Sequence, residues 1–212
     1  MWSGDCTTTP DEMAEAVAAT ALDVVCITDH ATVAGARALA AEGSLGCRIV
    51  IGQEQRMPDG ELIGLFLEDR IPPGLRSARE CALAIKERGG LVYVPHPFDP
   101  LRHRILEESL RQLVAEGLVD LLETRNGKTS LEHLNSTAAE FAAAHGLAAG
   151  AGSDAHVPAA VGAAYVEMAD FADGDAASFL GAMAAGRVTG HHFDPARAWR
   201  SRVVPSTSAR RD

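Results

Sequence analysis

Short apolar runs and longer amphipathic stretches take turns along this chain. DVVCIT (23–28), CRIVIG (47–52), ELIGLFL (61–67), LVYVP (91–95) and VDLLE (119–123) are β-branched and aliphatic runs of strand length. LAAGAG (147–152) reads as a further strand made of small residues. Between them lie helix-like segments: MAEAVAATA, ending near Leu22, then TVAGARALAAEG, ARECALAIKER, RILEESLRQLVAE, a stretch closing at His145-Gly146, and DAASFLGAMAAG. Three of these helices are preceded by a capping-box pattern: Thr9 with Glu12, Ser77 with Glu80, and Thr129 with Glu132. The turn Pro58-Asp59-Gly60 marks ELIGLFL as a strand running back from a hairpin. Strands alternating with helices predict parallel βα units, arranged as an α/β barrel or a doubly wound sheet.

The polar residues fall at particular points of this pattern. Asp29 and His30 follow DVVCIT, Glu54 follows CRIVIG, His96 follows LVYVP, Glu123 closes VDLLE, and Asp154 and His156 follow LAAGAG. Each lies at the carboxyl end of a strand, the edge at which sites assemble in parallel βα folds. Taken singly these are weak signals, and a lone histidine after a strand is more often a turn or hydrogen-bonded residue. His133, His145, His191 and His192 carry no such pattern. Five strand ends delivering imidazole and carboxylate to one place are another matter. Imidazole with carboxylate and no cysteine suits zinc, manganese or iron.

Bulk composition narrows the classes. The 212 residues suffice for one domain with a substantial core. Nineteen Lys+Arg against 29 Asp+Glu leave a net charge of −10, which argues against an extended nucleic-acid surface or an anionic membrane face. No apolar run approaches the ~20 residues of a membrane span. The four cysteines include no C-x-x-C pair; Cys26 and Cys47, inside strand-like runs, are expected to be small buried hydrophobes in a reducing compartment. A cytoplasmic protein is expected.

ITDHATVAGA, GQE followed by DGELIGLFL, GGLVYVPHPFDPLR, LLETRNG and AGSDAH occur in that order. Together they resemble the PHP (polymerase and histidinol phosphatase) superfamily of metal-dependent phosphoesterases, from Trp2 to about Val188. The resemblance implies an α/β fold, a distorted (β/α)7 TIM-like barrel, with two or three divalent ions (Zn, Mn or Fe) at its mouth. It implies His30, Glu54, His96, Asp154 and His156 as ligands, with Glu54 bridging two ions, and Asp5 as a further ligand. Glu123 and Asn126 match the family's E-x-x-N segment, with an outer-shell or substrate-contact role. The family's first strand, carrying His-x-His-Thr, has no counterpart ahead of Asp5, so residues 1–193 are expected to form a PHP domain incomplete at its N-terminus. Residues 194–212, rich in Arg, Ser and Pro, are expected to be a disordered tail.

The expected activity is hydrolysis of a small phosphomonoester, a nucleotide or sugar phosphate, by metal-activated hydroxide. Phosphoryl transfer needs positive charge around the equatorial oxygens. Arg102, His103, Arg104, Arg125 and Lys128 are the candidates, with Glu123 and Asn126 as further substrate contacts. Arg102 is expected to act in catalysis, as is Asp29 by orienting the His30 imidazole. The alternatives are a catalytically impaired PHP domain acting as a metal-binding or interaction module, and an amidohydrolase-like C–N hydrolase. The latter often needs a bridging carboxylated lysine, for which Lys86 and Lys128 are poorly placed.

Overall fold

The computed structural model describes residues 3–194, so the expected tail lies, beyond Asp194, outside the described residues. The chain order is α1 (Pro10–Thr20), β1 (Val24–Ile27), α2 (Ala34–Glu42), β2 (Arg48–Met57), β3 (Gly60–Leu65), α3 (Ala78–Lys86), β4 (Leu91–Val94), α4 (Glu107–Ala115), β5 (Leu121–Asn126), α5 (His133–His145), β6 (Ala148–Gly152), β7 (Ala164–Glu167), α6 (Ala176–Ala184) and β8 (Arg187–Gly190). β1 to β6 form one sheet in sequential order, and β7 with β8 a separate antiparallel pair.

Local chemistry explains most boundaries. α1 opens with a complete capping box: the Glu12 N–H donates to Thr9 Oγ1 at 3.3 Å and the Thr9 N–H to Glu12 Oε2 at 2.9 Å. At α3 only half the box forms, because Ser77 accepts the Glu80 N–H while the Glu80 carboxylate accepts from the Arg76 N–H. The third box does not form. The Thr129 hydroxyl donates to Asn135 Oδ1, Ser130 is taken by Asp99, and α5 begins only at His133. Tertiary partners outcompete the local cap there.

Within the α/β fold that the pattern predicts, two features shape the sheet among the described residues. β2 and β3 pair antiparallel with Met57 opposite Gly60, so a two-residue turn returns the chain, and so tight a turn cannot produce a parallel neighbour. β7 pairs with β8 alone, two short strands that the sequence pattern did not announce. The sheet is a curled half-barrel with β1 and β6 as its edges. Cysteine placement is corrected: Cys26, on β1 at the edge of the sheet among the described residues, is exposed, Cys47, just before β2, is half-buried, and only Cys81 is buried.

Strand alternation sorts the side chains into two cores. On the helix side Leu62, Val92, Val94 and Leu122 pack with Ile85, Leu110, Leu113 and Phe141. On the concave side Val50, Ile63, Leu65, Leu91, Tyr93 and Leu121 pack with Phe171, Phe179 and Met183. The same alternation puts Glu54 and Arg56 on the concave face with Val50, Glu61 with Ile63 and Leu65, and Glu123 with Leu121. That face is thus apolar toward one end of the strands and charged toward the other.

Candidate metal centre

The six residues expected as ligands all line one cavity of about 1490 Å3: Asp5, His30, Glu54, His96, Asp154 and His156. The Glu54 carboxylate is divided between two imidazoles, with Oε2 3.7 Å from His30 Nε2 and Oε1 3.6 Å from His96 Nε2. Asp5 Oδ2 lies 3.3 Å from His30 Nε2 and 3.2 Å from His156 Nε2. Glu61 Oε2 lies 3.5 Å from His96 Nε2. Two ligands held about 2.1 Å from one tetrahedral ion stand about 3.4 Å apart, so these separations are those of atoms sharing a cation. His30, Glu54 and Glu61 offer ligand atoms within 4.8 Å of one another. The Nδ1 atoms of His30 and His96 are buried with no hydrogen-bond partner, an unusual condition for a protein interior. Donor set and spacing therefore fit divalent cations.

Asp154 stands differently. Its Oδ2 accepts from Arg102 Nη2 at 2.5 Å and lies 3.6 Å from Lys128 Nζ, while Oδ1 is 3.4 Å from His156 Nδ1. The structure thus brings Asp154 beside His156 but pairs it with two cations. Three non-glycine residues here have positive φ: Ala31 at 57°, His96 at 29° and Asp154 at 49°. Each such residue costs about 1–3 kcal/mol, and such strain gathers at functional sites.

Electrostatics follow from packing. Asp5 sits between two imidazoles, His156 first and His30 second, and its carboxyl is held far below the usual range. Burial opposes charging of His30, but Asp5 and Glu54 outweigh it and raise the imidazole. At His96 burial is again outweighed, here by Glu54, Glu123 and Asp154. Burial, with the Glu54 charge beside it, raises Glu61.

Beneath these side chains lies a buried support. Glu123 Oε2 accepts the His96 N–H at 2.7 Å and Asn126 Nδ2 at 2.9 Å, and Oε1 accepts the Tyr93 hydroxyl at 3.0 Å. Burial pushes Glu123 up to about 7. The small-residue strand β6 makes room for this network. A Cβ on Gly150 would meet the Tyr93 ring at 2.4 Å, and one on Gly152 would meet Glu123 Oε1 at 2.2 Å.

The contacts of the other expected site residues can be named one by one. Glu123 and Asn126 are buried beside the His96 loop with their hydrogen-bonding groups turned to the protein, in line with the outer-shell alternative. Arg125 pairs with Glu132, the Arg104 guanidinium donates to the Ile105 carbonyl, and His103 Nε2 contacts the Met57 carbonyl. These three are engaged by the protein's own acceptors. Arg102 and Lys128 remain at the site, against Asp154 and His156. Asp29 lines the cavity, but no hydrogen bond joins it to His30, whose Nδ1 has no partner. Burial, then the Asp5 charge, raises Asp29.

Glu61 and Arg56 were missed by sequence reasoning that searched strand carboxyl ends. β3 runs antiparallel, so its amino end, not its carboxyl end, reaches the mouth. The signal was present: an acid immediately after a hairpin turn, opposite a strand that carries Glu54. Among the described residues no helix is long and apolar enough to cross a membrane.

A family model described as PHP-associated matches residues 132–188, the segment holding Asp154 and His156. Two uncharacterised proteins of Methanocaldococcus jannaschii are 46% identical over 81 residues and 36% identical over 121 residues. The matches cover 38% and 56% of this chain and 47% and 51% of those proteins, so the chain spans about half the length of the curated relatives it matches. Among solved structures, a two-domain protein from Bacteroides vulgatus containing a predicted PHP-like metal-dependent phosphoesterase superposes with a TM-score of 0.67 at 17% identity, covering 90% of this chain and 62% of that one. PsfC from Pseudomonas syringae superposes with a TM-score of 0.64 at 20% identity, covering 84% and 81%. An amidohydrolase from Chromobacterium violaceum with bound sulfate gives 0.58 at 18%, covering 73% and 84%. At such identities the structural likeness speaks for the fold, and it agrees with the family match. The segment 132–188 is thus similar to the PHP-associated family, on a fold shared with these solved structures.

Proposed function

We propose that this chain acts as a metal-dependent phosphoesterase on a small phosphomonoester, a nucleotide or sugar phosphate. The observation that carries this reading is the division of Glu54 between His30 and His96, which lets one carboxylate serve two neighbouring cations. Asp5, His30 and His156 would hold one ion, and Glu54, His96 and Glu61 a second. Divalent ions bound there supply a water that is nucleophilic near neutral pH and a positive field for phosphoryl oxygens.

The remaining work falls to the chain's own side chains. Arg102 and Lys128 set positive charge beside Asp154, on one flank of the ligand cluster, where charge spread over phosphoryl oxygens needs neutralising. Glu123 fixes the backbone of His96 and so its imidazole.

The test is to load the chain with manganese or zinc, measure bound metal by elemental analysis, and assay phosphate release from a panel of nucleotide and sugar monophosphates. Release that depends on metal supports the reading. Stoichiometric metal without release from any of them overturns it and favours a metal-binding module.

A further inference from the structure

Arg56 is absent from every motif that marks the site, yet it faces it. It follows Glu54 by two residues on β2, so both side chains leave the same face of the sheet, about 6.8 Å apart along the strand. Its partner across the hairpin is Glu61, by register and by an ion pair from Arg56 Nε to Glu61 Oε1. Its Nη2 lies 3.2 Å from His30 Nε2.

The two partners differ in exposure. The Glu61 side chain is 3% exposed and that of Arg56 61%. A buried carboxylate thus grips one edge of the guanidinium, while the rest of the fork stands in a hollow of about 340 Å3 that Asp5, His30 and Glu54 also line. Arg102 and Lys128 lie across the cluster, against Asp154, and Arg104 and Arg125 are turned to other acceptors. On the His30 side, Arg56 is therefore the guanidinium at the mouth among the described residues.

We propose that Arg56 is a substrate-contacting residue that grips non-bridging oxygens of the phosphoryl group, aimed by Glu61 and opposed across the site by Arg102 and Lys128. A planar guanidinium pre-set along one edge loses little freedom on donating its remaining N–H groups to a tetrahedral oxyanion. The inference rests on the phosphoesterase reading, and extends it to a cation on each flank of the reacting group.

The experiment uses the manganese-loaded chain, with inorganic phosphate as probe in isothermal titration calorimetry and metal content measured in parallel. R56Q should keep the wild-type metal content and bind phosphate at least about tenfold more weakly. R56K, a point charge without the fork, should recover part of that loss. If the substrate reading holds, R56Q also raises KM in the monophosphate assay. Phosphate affinity unchanged in R56Q overturns the assignment while leaving the phosphoesterase reading intact. Loss of metal together with phosphate overturns it too, by showing that Arg56 only maintains the ligand cluster. Failure of the metal-loaded wild-type chain to bind phosphate or to release it from any substrate would instead strike the underlying reading.

Discussion

The carboxylate of Glu123 accepts the backbone N–H of His96 across two strands, at 2.7 Å. That bond holds a histidine whose φ of 29° no ordinary strand end would adopt. With Asn126 and Tyr93 also donating to it, Glu123 accepts three hydrogen bonds, two on Oε2 and one on Oε1.

Glu123→Gln should therefore be costly despite its small change in volume. The amide retains one acceptor oxygen, so its NH2 group must either meet the His96 and Asn126 N–H donors or force the Tyr93 hydroxyl to turn, and a buried mismatch of this kind costs up to about 1–3 kcal/mol. Urea unfolding should report that loss, and metal titration should show weaker binding through a displaced His96. Wild-type values in both measurements would mean that the network does not position the imidazole.

Gly152→Ala tests the same network from the neighbouring strand. The added methyl would fall 2.2 Å from Glu123 Oε1, and overpacking a filled core costs about 1–3 kcal/mol. The melting temperature should fall accordingly. Gly74→Ala is no control, because Gly74 has a positive φ of 81°; Gly181→Ala, within α6 and with open space around it, is the suitable one, and it should not destabilise the chain.

Glu54→Gln removes one charge and one ligand oxygen from the shared carboxylate. Metal affinity should drop by more than the about 10–100-fold that loss of an outer-shell partner brings. Glu61→Gln should produce a loss of similar size if Glu61 touches an ion. Elemental analysis after dialysis distinguishes the cases, and undiminished metal in E54Q would rule out sharing.

Asp99 ties the loop after His96 to the loop before α5. Its carboxylate accepts the Ser130 N–H at 2.8 Å, the Ser130 hydroxyl at 2.7 Å and the Leu101 N–H at 3.0 Å. Burial works against the charged form, but the Ser130 and Leu101 donors outweigh it and hold the group below its usual value of 3.8. A lowered folded pKa means that the stabilisation is complete above pH 3.8 and is lost as acid protonates the folded form below it. Wild type should lose this stability between about pH 4 and the lower folded pKa. Asp99→Asn should be less stable at neutral pH and lose less on acidification over that range, as followed by denaturant titration at several pH values.

Part of this architecture was legible because it rests on local chemistry. The complete box at Thr9 and Glu12 and the turn at Pro58-Asp59 involve neighbours in the chain, and they form as the pattern predicts. The box at Thr129 did not, because Asn135 and Asp99 offered its hydroxyls and backbone other partners. The candidate site divides in the same way. His30, Glu54, His96 and Asp154 with His156 could be found from their places after parallel strands, whereas Glu61 and Arg56 could not, because the reversed strand brings the opposite end to the mouth. Among the expected cations, nothing in the sequence separates Arg102, which meets Asp154, from Arg125, which meets Glu132.

The amino-acid order by itself determined the alternation of strands and helices and which residue types stand at the strand ends, since periodicity and capping act within a few residues. Only the tertiary structure decided which of those side chains meet, that β7 and β8 form a pair apart from the six-stranded sheet, and that Arg56 and Glu61 stand among the candidate ligands. Such contacts depend on strand direction and register between distant segments, and no local pattern carries that information.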